Sequence, residues 1–191
     1  MKALKTSIIE QGSVRTKDIL DVSKFLNAHV DAQLMSELGK DFAEYYKDYD
    51  FDLFVTVETS GIAPSVFASL YANKPLLIIK KEARDLDQAI YVQQDCFSYT
   101  KDVSYKLSAK REFLSNKKVV LLDDFLAQGS VVKNVEALLK EVDSSLVSIG
   151  ICITKNFQPG YKALSDEGYD LYAQVELESL DPETGTIVFA K

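Results

Sequence analysis

The sequence predicts an α/β fold: a parallel sheet flanked by helices, with a small cap made from the two ends of the chain. Three observations carry this reading. Short, continuous apolar runs recur at 53–58, 76–79, 119–122 and 146–153. Continuous apolar character, rather than strict alternation, suits strands covered on both faces. Segments with helical spacing separate the runs, as in strand–helix–strand units. The run Val119-Val120-Leu121-Leu122 also leads directly into Asp123 and Asp124, then into a short loop with Gly129. Polar groups gathered at a strand's carboxyl end mark the edge where open α/β sheets bind ligands.

Each element can be justified in turn. Residues 2–11 read as a short helix, and 24–31 as irregular. Leu34, Leu38, Phe42 and Tyr45 fall on one face of a helix spanning about 31–47. The stretch 53–58 is rich in β-branched and aromatic residues and predicts a strand. Ile62 to Tyr71 follows as a helix, with Pro64 in the first turn, where a missing N–H costs little. Residues 76–79 give a second strand, and the polar stretch 83–113 has weak periodicity. The strand at 119–122 precedes a helix over 130–142, and 146–153 gives the fourth strand. A short helix at 161–166 and strands near 171–178 and 185–189 close the chain. One domain is expected over 1–191, with a core of about 51–154 and a cap from about 1–50 and 155–191.

Composition narrows the function. A 191-residue chain with 47% hydrophobic residues has enough material for one sizeable core. The net charge of −7, with no basic run, argues against a nucleic-acid surface. No apolar stretch is long enough to span a membrane, and Met1-Lys2-Ala3-Leu4-Lys5 lacks an apolar signal core, so a cytoplasmic location is expected. Cys96 and Cys152 have no metal-ligand spacing and read as reduced packing residues. His29 is the single histidine, so this chain alone cannot form a two-histidine metal site.

The chemistry-bearing residues cluster at strand ends. Asp123 and Asp124 cannot hold a phosphate, since like charges repel; sugar hydroxyls or a metal's water shell are their natural partners. The loop Ala127-Gln128-Gly129-Ser130-Val131, opening a helix, suits a phosphate. A second strand–loop–helix junction, Glu58-Thr59-Ser60-Gly61, presents another set of backbone N–H groups to an anion, unless it is an ordinary turn with Ser60 as helix cap. Lys80 and Lys81 follow the next strand, where they can neutralise a polyphosphate or simply be solvated. The connection 83–113 is too long for a plain link and reads as a functional lid, a hairpin with a polar tip, or both.

These segments resemble those of the type I phosphoribosyltransferases. The Asp123-Asp124-Phe125-Leu126-Ala127 form, with Thr59-Ser60-Gly61-Ile62-Ala63-Pro64, Phe25-Leu26-Asn27 and Phe157-Gln158-Pro159-Gly160 in this order, is most similar to the xanthine phosphoribosyltransferases. The resemblance spans nearly the whole chain. It implies transfer of the phosphoribosyl group of phosphoribosyl pyrophosphate (PRPP) to xanthine, with Mg²⁺ carried by PRPP rather than by a protein cage, and a homodimer. A guanine or hypoxanthine enzyme, or a PRPP-binding regulator on the same fold, is the alternative.

The resemblance also assigns roles. Asp123 and Asp124 take the ribose hydroxyls, 127–131 the 5′-phosphate, and Glu58, Thr59, Ser60, Gly61 and Lys81 the pyrophosphate. Ser98, Thr100 and Lys101 fall in a mobile lid over 83–113. Leu20, Asn27, Lys155 and Phe157 match the purine side, with Lys155 near the C6 oxygen. Asn27 could equally cap the following helix. Gln128, Ser130, Val131 and Thr154 depart from the family's usual residues. Val131 in particular stands where many members use a hydroxyl, which valine cannot donate; Ser130 is the expected substitute.

Overall fold

In the computed structural model, which describes residues 1–98 and 103–190, an eight-stranded sheet forms the centre. Its strands are β3 (Leu53–Val57), β4 (Leu76–Glu82), β5 (Tyr91–Ser98), β6 (Val103–Lys110), β7 (Lys118–Leu126), β8 (Ser145–Lys155), β9 (Leu171–Asp181) and β10 (Thr186–Phe189). The order across the sheet is β10-β9-β8-β7-β3-β4-β6-β5. The five strands from β9 to β4 run parallel, while β10, β6 and β5 are antiparallel to their neighbours. The expected parallel sheet is therefore the middle of a mixed one.

Alternation along the central strands separates two cores. Phe54, Val120 and Leu122 face a cluster with α2 (Ala32–Tyr45) and α3 (Ile62–Ala72), whereas Leu53, Val55, Val119 and Leu121 face one with α5 (Ser130–Lys140). Fully buried central strands are why these runs lack alternation in the sequence.

Several boundaries shift. The strand expected to end at Leu122 continues to Leu126, because Phe125 and Leu126 keep pairing with Ile153 and Thr154 of β8. The acids therefore lie within the strand. The polar stretch beyond residue 83 contains the β5–β6 hairpin, which extends the sheet, and the short helix α4 (Arg111–Leu114). The first residues form α1 (Lys2–Gln11), as expected, then a small hairpin of β1 (Ser13–Thr16) and β2 (Ile19–Asp21). Instead of an irregular segment, Ser23–Asn27 makes a π-helical turn. The last helix, α6, covers Pro159–Asp166.

The cap on α2 is Asp31, not Asn27: its carboxylate accepts from the N–H groups of Gln33 and Leu34. Asn27 is exposed. Both cysteines are free and buried.

Candidate active site

Two junctions converge at the carboxyl ends of the parallel strands. β3 ends at Val57; Glu58 to Ser60 then turn into α3, whose N-cap is Gly61. The Glu58–Thr59 peptide is cis. Ser65 secures the new helix by donating from N–H and Oγ to the Gly61 carbonyl, at 3.2 and 2.6 Å. Gly61 has an ordinary φ of −70°. It must be glycine for another reason: a Cβ there would lie 2.5 Å from Thr56 Oγ1 and 3.0 Å from Asp123 Oδ1. The loop thus lies close against Asp123. The Thr56 hydroxyl beneath it is buried and has no hydrogen-bond partner among the described residues.

The second junction leaves β7 after Leu126. Gly129 caps α5 in the left-handed region, at φ +80°, which favours glycine. Gly160 supports this loop from behind, donating its N–H to the Ala127 carbonyl at 3.0 Å. Any side chain at 160 would collide with the backbone of Ala127 and Gln128. Ser130 is exposed, while the half-buried Val131 lines the cleft between the junctions. The position where many family members carry a hydroxyl therefore presents an apolar side chain to the cleft.

That cleft encloses about 110 Å³. Glu58, Thr59, Ser60, Lys81, Asp123 and Asp124 line it. Burial and the adjacent Asp124 carboxylate push the Asp123 carboxyl well above the usual carboxylate range; Lys81 acts against them. Asp123 Oδ1 also accepts from the Asp124 N–H at 2.9 Å. Glu58 has a use that the sequence did not reveal. Its Oε1 accepts from the Lys81 main-chain N–H at 2.6 Å, and its Oε2 pairs with Lys80 Nζ at 3.3 Å. Lys80 is thus already paired, whereas the Lys81 ammonium lies over the Tyr105 ring of β6 at 5.9 Å.

The remaining expected residues belong mostly to the cap segments. Lys155, at the end of β8, is half-buried; burial lowers its pKa, opposed by Asp18 and Asp124. Its Nζ donates to the Asp18 carbonyl at 2.7 Å and lies 5.1 Å from the Phe125 ring centroid. Phe157 packs against the adjoining core. Leu20 is only 5% exposed and belongs to that core. Ser98 ends β5 opposite Val103, while Thr100 and Lys101 lie outside the described residues.

A mixed sheet with two anion-suited junctions and an acid pair between them defines a nucleotide- or sugar-phosphate-handling α/β protein. The Phosphoribosyl transferase domain model matches residues 27–170, and the chain belongs to this family. It is 36% identical over 182 residues to the xanthine phosphoribosyltransferase of Clostridium botulinum (strain Eklund 17B / Type B), covering 95% of this chain and 96% of that protein. It is 37% identical over 193 residues to the enzyme of the same name from Levilactobacillus brevis, covering all of both. In fold it is similar to adenine phosphoribosyltransferases from Thermoanaerobacter pseudethanolicus (TM-score 0.71, 18% identity, 91% of this chain and 99% of that one) and Trypanosoma brucei (TM-score 0.73, 14% identity, 91% and 79%).

Proposed function

We propose that this protein transfers the phosphoribosyl group of PRPP to xanthine, forming xanthosine 5′-monophosphate and releasing pyrophosphate in purine salvage. The observation that carries the reading is the cleft in which the acid pair, the Glu58–Gly61 loop and Lys81 meet. The named relatives, matched over the full chain, supply the base.

In this reading Asp123 and Asp124 accept hydrogen bonds from the ribose 2′ and 3′ hydroxyls. Backbone N–H groups of Ala127–Val131 hold the 5′-phosphate at the start of α5. Those of Thr59–Gly61, with the Lys81 ammonium, receive the departing pyrophosphate. Catalysis then consists of holding the reactants in line and stabilising the leaving group. The β5–β6 hairpin, carrying Ser98, Thr100 and Lys101, is the lid that keeps water from the reacting carbon. Lys155 and Asn27 read the base, with Leu20 and Phe157 supporting its ring. The cap (1–50 and 155–191) carries the base side, and the core (51–154) carries PRPP.

Mg²⁺ fits this donor set in one way. Among the described residues no group of three or more ligating side chains comes together to form a cage. The Asp123–Asp124 pair would suit an ion held mainly by the substrate's own oxygens. When bound, the ion screens the charge of the pyrophosphate. No helix among the described residues is long and apolar enough to cross a membrane. The reading includes a homodimer in the cytoplasm.

The test is pyrophosphate release from PRPP and Mg²⁺ with xanthine, guanine, hypoxanthine and adenine offered separately. Preferential turnover of xanthine is expected. Binding of PRPP without turnover of any base would instead favour a regulator on this fold.

A further inference from the structure

The strand that leads into the first loop, Leu53-Phe54-Val55-Thr56-Val57, carries a single polar side chain. Thr56 is fully buried, and its hydroxyl has no hydrogen-bond partner among the described residues. Buried polar groups almost always find a partner, so this one asks for an explanation. Valine would fill the same space without a stranded hydroxyl.

The surroundings narrow the choice of partner. Thr56 Oγ1 and Asp123 Oδ1 close on one point, the place of a Cβ on Gly61, at 2.5 and 3.0 Å. In glycine that place holds only a hydrogen. Two carbonyls of the loop are committed to α3. That of Thr59 accepts from the Ile62 N–H at 3.2 Å, and that of Gly61 accepts from the Ser65 N–H and Oγ. Asp123 Oδ1 accepts from the Asp124 N–H at 2.9 Å, and a carboxylate oxygen has a further lone pair to offer. Burial and the Asp124 carboxylate work against charge on Asp123, while Lys81 favours it. A sugar hydroxyl is held most strongly by an ionised acceptor. A buried hydroxyl donating to Asp123 favours that ionised form.

We propose that Thr56 is a positioning residue for the acid pair: its hydroxyl donates to Asp123 Oδ1 when sugar hydroxyls engage Asp123, and holds the carboxylate in the orientation that receives them. The inference rests on the ribose role proposed for Asp123. Buried beneath the loop, Thr56 acts through Asp123 and not on the substrate. Its hydroxyl is unpartnered in the ligand-free chain and gains its partner in the complex. Its contribution therefore falls on PRPP binding and not on folding.

Thr56→Val keeps the shape and removes the hydroxyl, whereas Thr56→Ser keeps the hydroxyl. Both are compared with the parent by ligand-free melting, by calorimetric titration of PRPP with Mg²⁺, and by the KM for PRPP and for xanthine. Thr56→Val is expected to melt no lower than the parent, to bind PRPP about tenfold more weakly and to leave the xanthine KM unchanged, with Thr56→Ser within about threefold of the parent. Parent-like PRPP affinity in Thr56→Val overturns the proposal and leaves the transferase reading standing. So does a lowered melting temperature with equal losses on both substrates, the mark of a purely structural hydroxyl. If the parent turns over no 6-oxopurine but Thr56→Val still loses PRPP affinity, the transferase reading falls and the role of Thr56 stands.

Discussion

The two junctions that meet in the cleft are built on the same plan and use glycine for opposite reasons. At Gly61 the backbone is ordinary and the space is not: a Cβ would press on Thr56 and Asp123. At Gly129 the space is tolerable, with the nearest atoms 3.4 Å from a Cβ, and the backbone is unusual. The first loop is therefore coupled to Asp123 by contact. The second is supported by Gly160, with the cleft on its other side. Changes at position 61 should reach Asp123 directly, whereas changes at 129 should stay local.

The largest effect tests the pair both loops serve. Replacing Asp123 and Asp124 together by Asn should raise the PRPP KM by about 10²-fold or more, given two lost charge-assisted contacts. Unchanged PRPP affinity in the folded variant would remove them from the site. Gly61→Ala should lower kcat/KM by about 10²-fold through a displaced Asp123 or loop, and destabilise the protein by about 1–3 kcal/mol through overpacking. Normal activity would show that the loop yields without disturbing the acids. Lys155→Ala should raise the purine KM by about tenfold and leave the PRPP KM nearly unchanged. Equal effects on both would refute its role on the base side.

Gly129→Ala sharpens the contrast. It should cost about 1–2 kcal/mol of stability from left-handed strain, with a loss of activity far below that of Gly61→Ala. The smallest expected effect is on pH dependence. Asp123 is pushed upward in the folded state, mainly by burial. Its contribution to stability is full below the ordinary carboxylate range and is lost as pH rises through its higher folded value. At neutral pH, Asp123→Asn should therefore melt roughly 2–4 °C above the parent without ligand, a gap that closes on acidification. A gap that widens toward acid would contradict the stated environment of Asp123.

Much of this arrangement was legible because burial leaves a pattern. The runs at 53–57 and 119–122 lie in central strands covered on both faces, and their apolar continuity marks them. Asp123 and Asp124 hid the end of their strand: carboxylates look like a boundary, yet pairing with β8 carries on through Leu126. The β5–β6 hairpin was harder to see, since Gln93, Gln94 and Asp95 on the edge strand lack the apolar signature of a covered one. The β1–β2 hairpin is too short for periodicity to register. Asp31 displaced Asn27 as helix cap through a choice between two good capping residues. The contact between Glu58 and Lys81 runs through a main-chain N–H and leaves no mark in residue identity. Phe157-Gln158-Pro159-Gly160 did stand out, but the support Gly160 gives the loop after β7 needs the third dimension.

The most direct test of convergence is a double-mutant cycle joining Gly61→Ala to Asp123→Asn, read as kcat/KM for PRPP with each variant's fold verified. If the first loop acts through the acid it touches, the double variant should be little worse than the more damaged single one. Losses that multiply independently would mean that the loop and the acid pair act separately, and that contact between them is not what makes the cleft one site.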